Sequence, residues 1–372
     1  MSGVTQVTFM NQRSFEDGYA LYGWGYGTSG QLGSGTATNI SSPTQVGSKV
    51  WELVNCSQYS ASHAIKPDGS LWAWGSGSHG RLGLNDTISR SSPVQVGTLK
   101  NWKSVTGGRG FAIAIKTDGT LWSWGKNDNY AQLGVGDFTN RSSPVQIGAL
   151  TTWDSSAAGD YQAYAIKTDN SLYGWGGNAS GALGQNYVSP YYIANPVQIS
   201  GSWSKVTSGT NSGLAIKTNG TLWGFGYNYE GHLGIGTGGN YAGVSSPVQV
   251  GGTTWASVSC KQSGTIARKT DGSIWTWGYN YYGDLGIGTD LSTAKSSPVQ
   301  VGSLTTWSLV DAGTNSKFAI KTDGTLWSWG GNGGGALGQN DTTNRSSPVQ
   351  VGSLTSWVSV SGGDAFAMGV AE

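Results

Sequence analysis

The sequence predicts an all-β chain folded as a seven-bladed β-propeller of four-stranded blades, its terminal blade closed by strands from both chain ends. Three observations predict it. A pentapeptide, Leu-aromatic-x-aromatic-Gly, recurs seven times along the 372 residues, with Ile274 for Leu once. Four short strand-like segments accompany each copy. The first and last copies are incomplete in complementary ways.

The second ring of the pentapeptide falls at Trp24, Trp74, Trp124, Trp175, Phe225, Trp277 and Trp329, at spacings of 50, 50, 51, 50, 52 and 52. A period near 50 residues marks a repeat architecture, and four strands per unit mark a propeller blade. A single blade cannot bury its own faces, so seven must stack in a ring.

The elements follow in order within each unit. A lone Trp opens the first strand, at Trp51, Trp102, Trp153, Trp203, Trp255, Trp307 and Trp357. Phe111-Ala112-Ile113-Ala114-Ile115-Lys116 is the second, an apolar run ending at Thr117-Asp118-Gly119. Asp-Gly between two such runs is a hairpin signal, because Gly takes positive φ without penalty. It recurs at Asp68-Gly69, Asp271-Gly272 and Asp323-Gly324, with Asp169-Asn170 and Asn219-Gly220 as variants. The third strand is the pentapeptide, whose alternation puts both rings on one face. A Leu-Gly pair follows, and then Ser-Pro-Val-Gln, with Pro43, Pro93, Pro144, Pro196, Pro247, Pro298 and Pro348 opening the fourth strand. Proline there suits an edge, where a missing N–H costs little. All 18 Trp fall on these positions, so tryptophan is architecture. The 62 Gly, far above ordinary usage, are explained as tight turns.

Closure is legible at the ends. The strand Leu21–Gly25 lacks its two predecessors, and Trp357 to Val370 supplies two strands without successors. The chain termini should behave as a nick in one Asp-Gly hairpin, near Asp17-Gly18, protecting both edges. Residues 17–372 therefore form one domain, preceded by an arm at 1–16.

Composition narrows function. A net charge of +1 and 11% charged residues argue against a basic nucleic-acid binder. Two Cys make no disulfide framework. Cys56 and Cys260 share a slot held elsewhere by Gly107, Ala158, Ser208, Ala312 or Gly362, so it demands a small residue, and the two lie four units apart, too far to bridge. The three histidines, His63, His79 and His232, show no ligand spacing and no nucleophile partner, so no catalytic residue, cofactor or metal is expected. Gly25–Gly30 and Gly75–Gly80 match G-x-G-x-x-G, but no helix follows them, so no dinucleotide site is read there.

The repeat as a whole, Leu-Trp-x-Trp-Gly-x-Asn-x-x-Gly-x-Leu-Gly, then Ser-Ser-Pro-Val-Gln-Val-Gly, then Trp and Ala-Ile-Lys-Thr-Asp-Gly, resembles the regulator-of-chromosome-condensation repeat over residues 17–370. The resemblance implies a seven-bladed propeller. It brings a wide range of functions, from nucleotide exchange on a GTPase to phage and bacterial surface roles, so fold transfers better than function. From the Gly of Leu-Gly to the Pro, the seven loops run 10, 10, 10, 12, 13, 12 and 10 positions, leaving no room for the protruding hairpin used by the exchange factor. Exchange activity is not expected.

Tyrosine is the excess that the repeat does not explain. Tyr187, Tyr191 and Tyr192, then Tyr227, Tyr229 and Tyr241, then Tyr279, Tyr281 and Tyr282 sit in loops of three consecutive units, which also have the three longest Gly-to-Pro loops. Consecutive units are neighbouring blades, so these residues form an arc on one rim. Tyr offers large contact area and a hydroxyl at low entropy cost, suited to a protein or a glycan. The alternative reading is that they pack over the loops and hold them closed. In the arm, Thr5, Val7 and Phe9 alternate on one face of a strand, with Val4 on the other. No blade needs this strand, so Val4, Val7 and Phe9 are expected to add to a partner or a neighbouring copy. No signal peptide and no membrane span are read. The expectation is a non-enzymatic recognition propeller, on a virion or extracellular surface, presenting the Tyr rim to a host glycan or protein. A cytoplasmic interaction hub such as a GTPase regulator, and a lectin-like module, are the alternatives.

Overall fold

The structure is a computed structural model and describes residues 18–372 apart from 49, 239, 253, 263 and 289–292. Seven four-stranded antiparallel sheets form the ring. We number the blades 1 to 7 by their inner strands, from Leu53–Cys56 in blade 1 to Trp357–Gly362 in blade 7. Blade 2 is typical: Trp102–Gly107 is innermost, then Phe111–Lys116, Leu121–Gly125 and the outer Arg141–Gln146. The outer strand starts three residues before its proline, and a register irregularity between Arg141 and Val145 spans the proline region. Among the described residues, the only helical pieces are three-residue 3₁₀ turns, and no helix is long and apolar enough to cross a membrane.

The closing blade is built as the two incomplete repeats require. Its sheet order is Ile40–Gln45, Ala20–Gly25, Phe366–Ala371, Trp357–Gly362. Six residues pair continuously across the joint, from Ala20 with Ala371 to Gly25 with Phe366. Tyr19 and Trp51 exchange backbone hydrogen bonds of 2.7 and 3.1 Å, in place of the bond that Trp102 makes to Gly69. The arm carrying Val4, Val7 and Phe9 lies outside the described residues, as does Asp17.

The core is divided among the blade interfaces. Leu71, Leu82 and Val96 of blade 1 cluster with Trp102, Val105 and Trp124 of blade 2, and the same arrangement repeats around the ring to the pairing of blade 7 with blade 1. The second ring of each pentapeptide lies fully buried against the preceding blade. Its indole N–H reaches the carbonyl just before that blade's Leu-Gly: Trp74 to Gln31 at 2.9 Å, Trp124 to Arg81 at 3.0 Å, Trp277 to His232 at 2.9 Å. Trp24 does the same to Ala336 at 2.9 Å, across the closure. The Gly of Leu-Gly is dictated by this contact. A Cβ on Gly134 would stand 2.6 Å from the Trp175 Nε1 atom, and φ there is +69°.

Blade 4 breaks the rule and repairs it. Phe225 replaces Trp and has no N–H to give, but the hydroxyl of Tyr164, from blade 3, donates to the same carbonyl, Ala182 O. The Tyr164 and Phe225 rings meet edge to face at 5.8 Å, as Phe318 and Trp24 do at 6.3 Å. The pair is therefore transferable. Trp24→Phe alone is expected to orphan the Ala336 carbonyl, at a cost of about 1–3 kcal/mol. Adding Phe318→Tyr should recover most of that loss. Urea unfolding midpoints of the two variants check it; a double variant no more stable than Trp24→Phe would refute the exchange.

The motif Lys-Thr-Asp-Gly-Thr-Leu-Trp closes the other face. Asp118 accepts from the Thr120 amide at 3.0 Å and hydroxyl at 2.6 Å, and the Trp122 indole donates to that hydroxyl at 2.8 Å. Lys116 lies over the Trp122 ring at 3.6 Å and the Trp102 ring at 4.9 Å. Lys66, Lys167, Lys217, Lys269 and Lys321 repeat the stack. Such contacts contribute roughly 0.5–2 kcal/mol each.

Candidate functional site

Two sets of segments emerge on one face of the ring: the turns after the inner strands and the long loops after the third strands. The loops are pinned from beneath by a buried Asn. Asn127 takes the Leu133 amide at 2.9 Å and gives its own amide to Asp137 O at 2.8 Å; Asn228 and Asn332 act alike. In the short loops of blades 1, 2 and 6 an i,i+4 ion pair adds a clamp: Asp86–Arg90, Asp137–Arg141 and Asp341–Arg345 at 2.5–2.6 Å. Among the described residues, the longer, Tyr-bearing loops of blades 3 to 5 show no such pair.

The predicted tyrosines divide into groups. Tyr187, Tyr191 and Tyr192 rise from blade 3, with Tyr191 69% exposed. The Tyr192 ring meets Phe138 of blade 2 edge-on at 4.9 Å. On blade 4, Tyr227 and Tyr229 stack at 6.4 Å, and the buried His232 ring lies 5.4 Å from Tyr227. On blade 5, Tyr279 and Tyr281 stack at 6.0 Å, and Tyr282 meets Tyr281 edge-on at 4.9 Å. Tyr281 is 60% exposed. The Tyr241 side chain lies outside those described. Some rings thus pack on one another while still presenting area to solvent.

Sequence reasoning missed a second group, nearer the axis. Arg109, in the blade 2 turn, lies 4.6 Å over the Tyr59 ring of blade 1 and 5.6 Å from the Tyr161 ring of blade 3. It donates to the Tyr161 hydroxyl at 2.7 Å and pairs with Asp160 at 3.6 Å. Tyr130 packs on Tyr161 at 4.5 Å. Burial pushes the Asp160 carboxyl up, against the Thr210 hydroxyl bond and the Arg109 charge. Tyr59, Arg109, Asp160 and Tyr161 lie in the turns after the inner strands of blades 1, 2 and 3, and Tyr130 in the long loop of blade 2. A scan of those turns for aromatic and charged residues would have found the first four.

The inner strands surround a channel of about 240 Å³. Hydrogen bonds from blade to blade girdle it: Gly107 N to Asn55, Cys260 N to Thr207, Ala312 N to Ser259, Gly362 N to Asp311 and Cys56 N to Ser361. Lys261 of blade 5 reaches across to Cys56 O at 2.9 Å and to Gly362 O, so its ammonium crosses the bore. Cys56 and Cys260 are buried and free, and burial pushes both thiols up to about 12. Their slot is small for a visible reason: a Cβ on Gly107 would lie 2.6 Å from Ser57 Cβ. Among the described residues no three His, Cys, Asp or Glu gather as metal ligands.

Comparison with known proteins agrees with this architecture. The regulator of chromosome condensation (RCC1) repeat model matches residues 20–61, 68–115, 118–166, 271–320 and 323–370, and a second model of the same repeat matches 102–131 and 255–284. The ultraviolet-B receptor UVR8 of Arabidopsis thaliana is 28% identical over 208 residues, 55% of this chain and 47% of the receptor. The probable E3 ubiquitin-protein ligase HERC3 of Homo sapiens is 38% identical over 80 residues, 21% of this chain and 8% of the ligase. The chain thus spans less than half the length of these curated relatives. Among solved structures, Prp20p of Saccharomyces cerevisiae superposes with a TM-score of 0.84 at 15% identity, covering 99% of this chain and 96% of its own. Human WBSCR16 does so at 0.83 and 19%, covering 97% and 99%. At such identities the likeness is one of fold.

Proposed function

The chain belongs to the regulator of chromosome condensation (RCC1) repeat family, and from that premise we propose that it is a protein-binding propeller whose partner docks on the Tyr-rich face. One observation carries the reading. Apart from Tyr19, every tyrosine outside a repeat position whose side chain is described lies on the face of the long loops, with Arg109 among them. The opposite face repeats the same Asp-Gly turns blade after blade. Tyr and Arg are the residues enriched at interface hot spots. One protein of the same fold binds several proteins: Prp20p, the yeast RCC1, binds Gsp1p and histones and has been seen bound to Kap60. In this reading the nine predicted tyrosines and the Arg109 group form one contact surface. The proposal does not depend on a virion setting or on the arm of residues 1–16.

A photo-cross-linking residue placed at Tyr191 or Tyr281 should give adducts of discrete mass in extracts of the source cell. The same residue at Leu99 or Leu304, exposed on the opposite face, should give none. Arg109→Ala should weaken the captured partner about 30-fold, the scale of a 2 kcal/mol hot spot. Adducts distributed equally over both faces would refute the docking face. Saturable binding of a glycan in place of any protein would convert the reading to a lectin.

A further inference from the structure

We propose that the axial channel holds a small tetrahedral oxyanion, of the phosphate or sulfate class, with the Lys205 ammonium as its counter-charge. The inference is independent of the docking reading, because the channel lies inside the ring and the tyrosines lie on its rim.

Five charged side chains line the cavity of about 240 Å³: Lys103, Lys205 and Lys261 against Asp154 and Asp311. Four of them already have partners. Lys103 donates to the Asp154 carboxylate at 2.7 Å. Asp311 accepts from the Ser259 hydroxyl at 2.7 Å and from the Gly362 amide at 2.9 Å. Lys261 donates to Cys56 O at 2.9 Å and to Gly362 O. Burial raises the Asp311 carboxyl, and the Lys261 charge opposes that rise. Lys205 is left over. Among the described residues its ammonium makes no ion pair and no hydrogen bond, although the residue is half-buried. Burial, and then the charge of Arg268, hold its pKa below the ordinary lysine value. Two hydroxyls of the same lining, Ser104 and Ser359, are buried and also lack a partner.

The repeat does not demand this lysine. Two residues after the opening Trp, four other blades have Ser and two have Leu. The amide of Trp203 bonds to Asn170 O at 2.8 Å, in the turn before it, so Lys205 lies toward the Asp-Gly end of the bore. Lys261 crosses nearer the long loops. A half-buried ammonium without a counter-charge costs free energy that an anion would recover. The unpartnered groups of the lining come from blades 2, 4 and 7, so they approach from different sides. A tetrahedral oxyanion presents acceptors on every side and suits such a ring of donors; a carboxylate presents both oxygens at one end.

Isothermal titration calorimetry of the full chain, in phosphate-free buffer at constant ionic strength, tests it. Inorganic phosphate should bind saturably and sulfate should compete, while acetate and chloride should not. Lys205→Ser should weaken binding about tenfold or more, the scale of one charge-assisted hydrogen bond. Lys205→Arg should retain it, as should Lys100→Ser, which removes an exposed lysine paired with Asp68 at 2.9 Å. Phosphate should also raise the thermal midpoint of the parent and leave that of Lys205→Ser in place. A cooperative transition in each variant shows that it is folded. No saturable binding by the parent, unchanged binding in Lys205→Ser, or equal binding of acetate would each overturn the site. Tighter binding of Nα-acetyl-phosphoserinamide than of inorganic phosphate would overturn the free ion as its occupant.

Discussion

A Trp24→Ala variant is expected to lose about 3–5 kcal/mol of unfolding free energy, and to open from the chain ends as Trp124→Ala does not. Both rings are fully buried. Both donate to a carbonyl of the preceding blade, at 2.9 and 3.0 Å. Cavity and hydrogen-bond terms should therefore be alike, and the difference reports position in the ring. Trp124 joins blades that the chain also connects covalently. Trp24 holds the N-terminal half of blade 7 in a cluster with Phe318, Val351 and Trp357, beside the six-residue ladder between Ala20–Gly25 and Phe366–Ala371 and the Asn340 amide bond to Ser41 O. Stability in repeat architectures is a sum of unit and interface terms. Weakening the interface beside the nick should therefore create a local opening below the global one. Hydrogen exchange measures it. Amides of residues 20–25 and 366–371 should exchange well before those of residues 111–116 in Trp24→Ala, and together with them in Trp124→Ala. The same exchange pattern in both variants would show that the joint is no weaker than any other interface.

The fold was legible because its signal is redundant. Any one unit, such as Trp102 to Gln146, repeats the evidence of the others, and complementary defects at Leu21 and Val370 disclose the joint. The misplaced start of the outer strand has a local cause. The sequence reads proline as a strand opener, whereas the irregular pairing between Arg141 and Val145 accommodates it within the strand. The site was less legible, because its neighbours are about fifty residues apart in sequence. Tyr59, Arg109 and Tyr161 each look like an isolated departure in a Gly-rich turn, and they become a group only when three blades stand side by side. The compensation of Phe225 by Tyr164 was hidden in the same way, since the two lie on different blades and their link is a carbonyl, which no sequence pattern marks.

Between pH 7.5 and pH 5 the protein is expected to lose about 2 kcal/mol of stability for each of two buried histidines, His63 and His232. Burial holds both imidazoles down at about 4, from an ordinary value of 6.5. His63 lies against Trp124 at 5.8 Å with its Nε2 atom at 3.2 Å from Arg81 O, and His232 lies under Tyr227. The sign follows from proton counts. Above pH 6.5 each ring is neutral in both states and costs nothing. As pH falls from 6.5 toward 4, the unfolded chain binds a proton at each ring and the folded chain does not, so unfolding is favoured. Buried carboxyls act in the opposite sense. Burial raises Asp160, Asp284 and Asp311, so the folded state takes up their protons first and gains as pH falls. The repeat itself supplies the substitutions that separate the two effects. Ile113 and Ile266 occupy the His63 position, and Gln31 and Gln132 occupy the His232 position. A His63→Ile, His232→Gln double variant should keep the carboxylate contribution and lose the histidine one. Its urea midpoint should stay level or rise between pH 7.5 and 5, where that of the parent falls. Parallel declines in the two proteins would place the acid sensitivity elsewhere, and would mean that these rings are protonated in the folded ring.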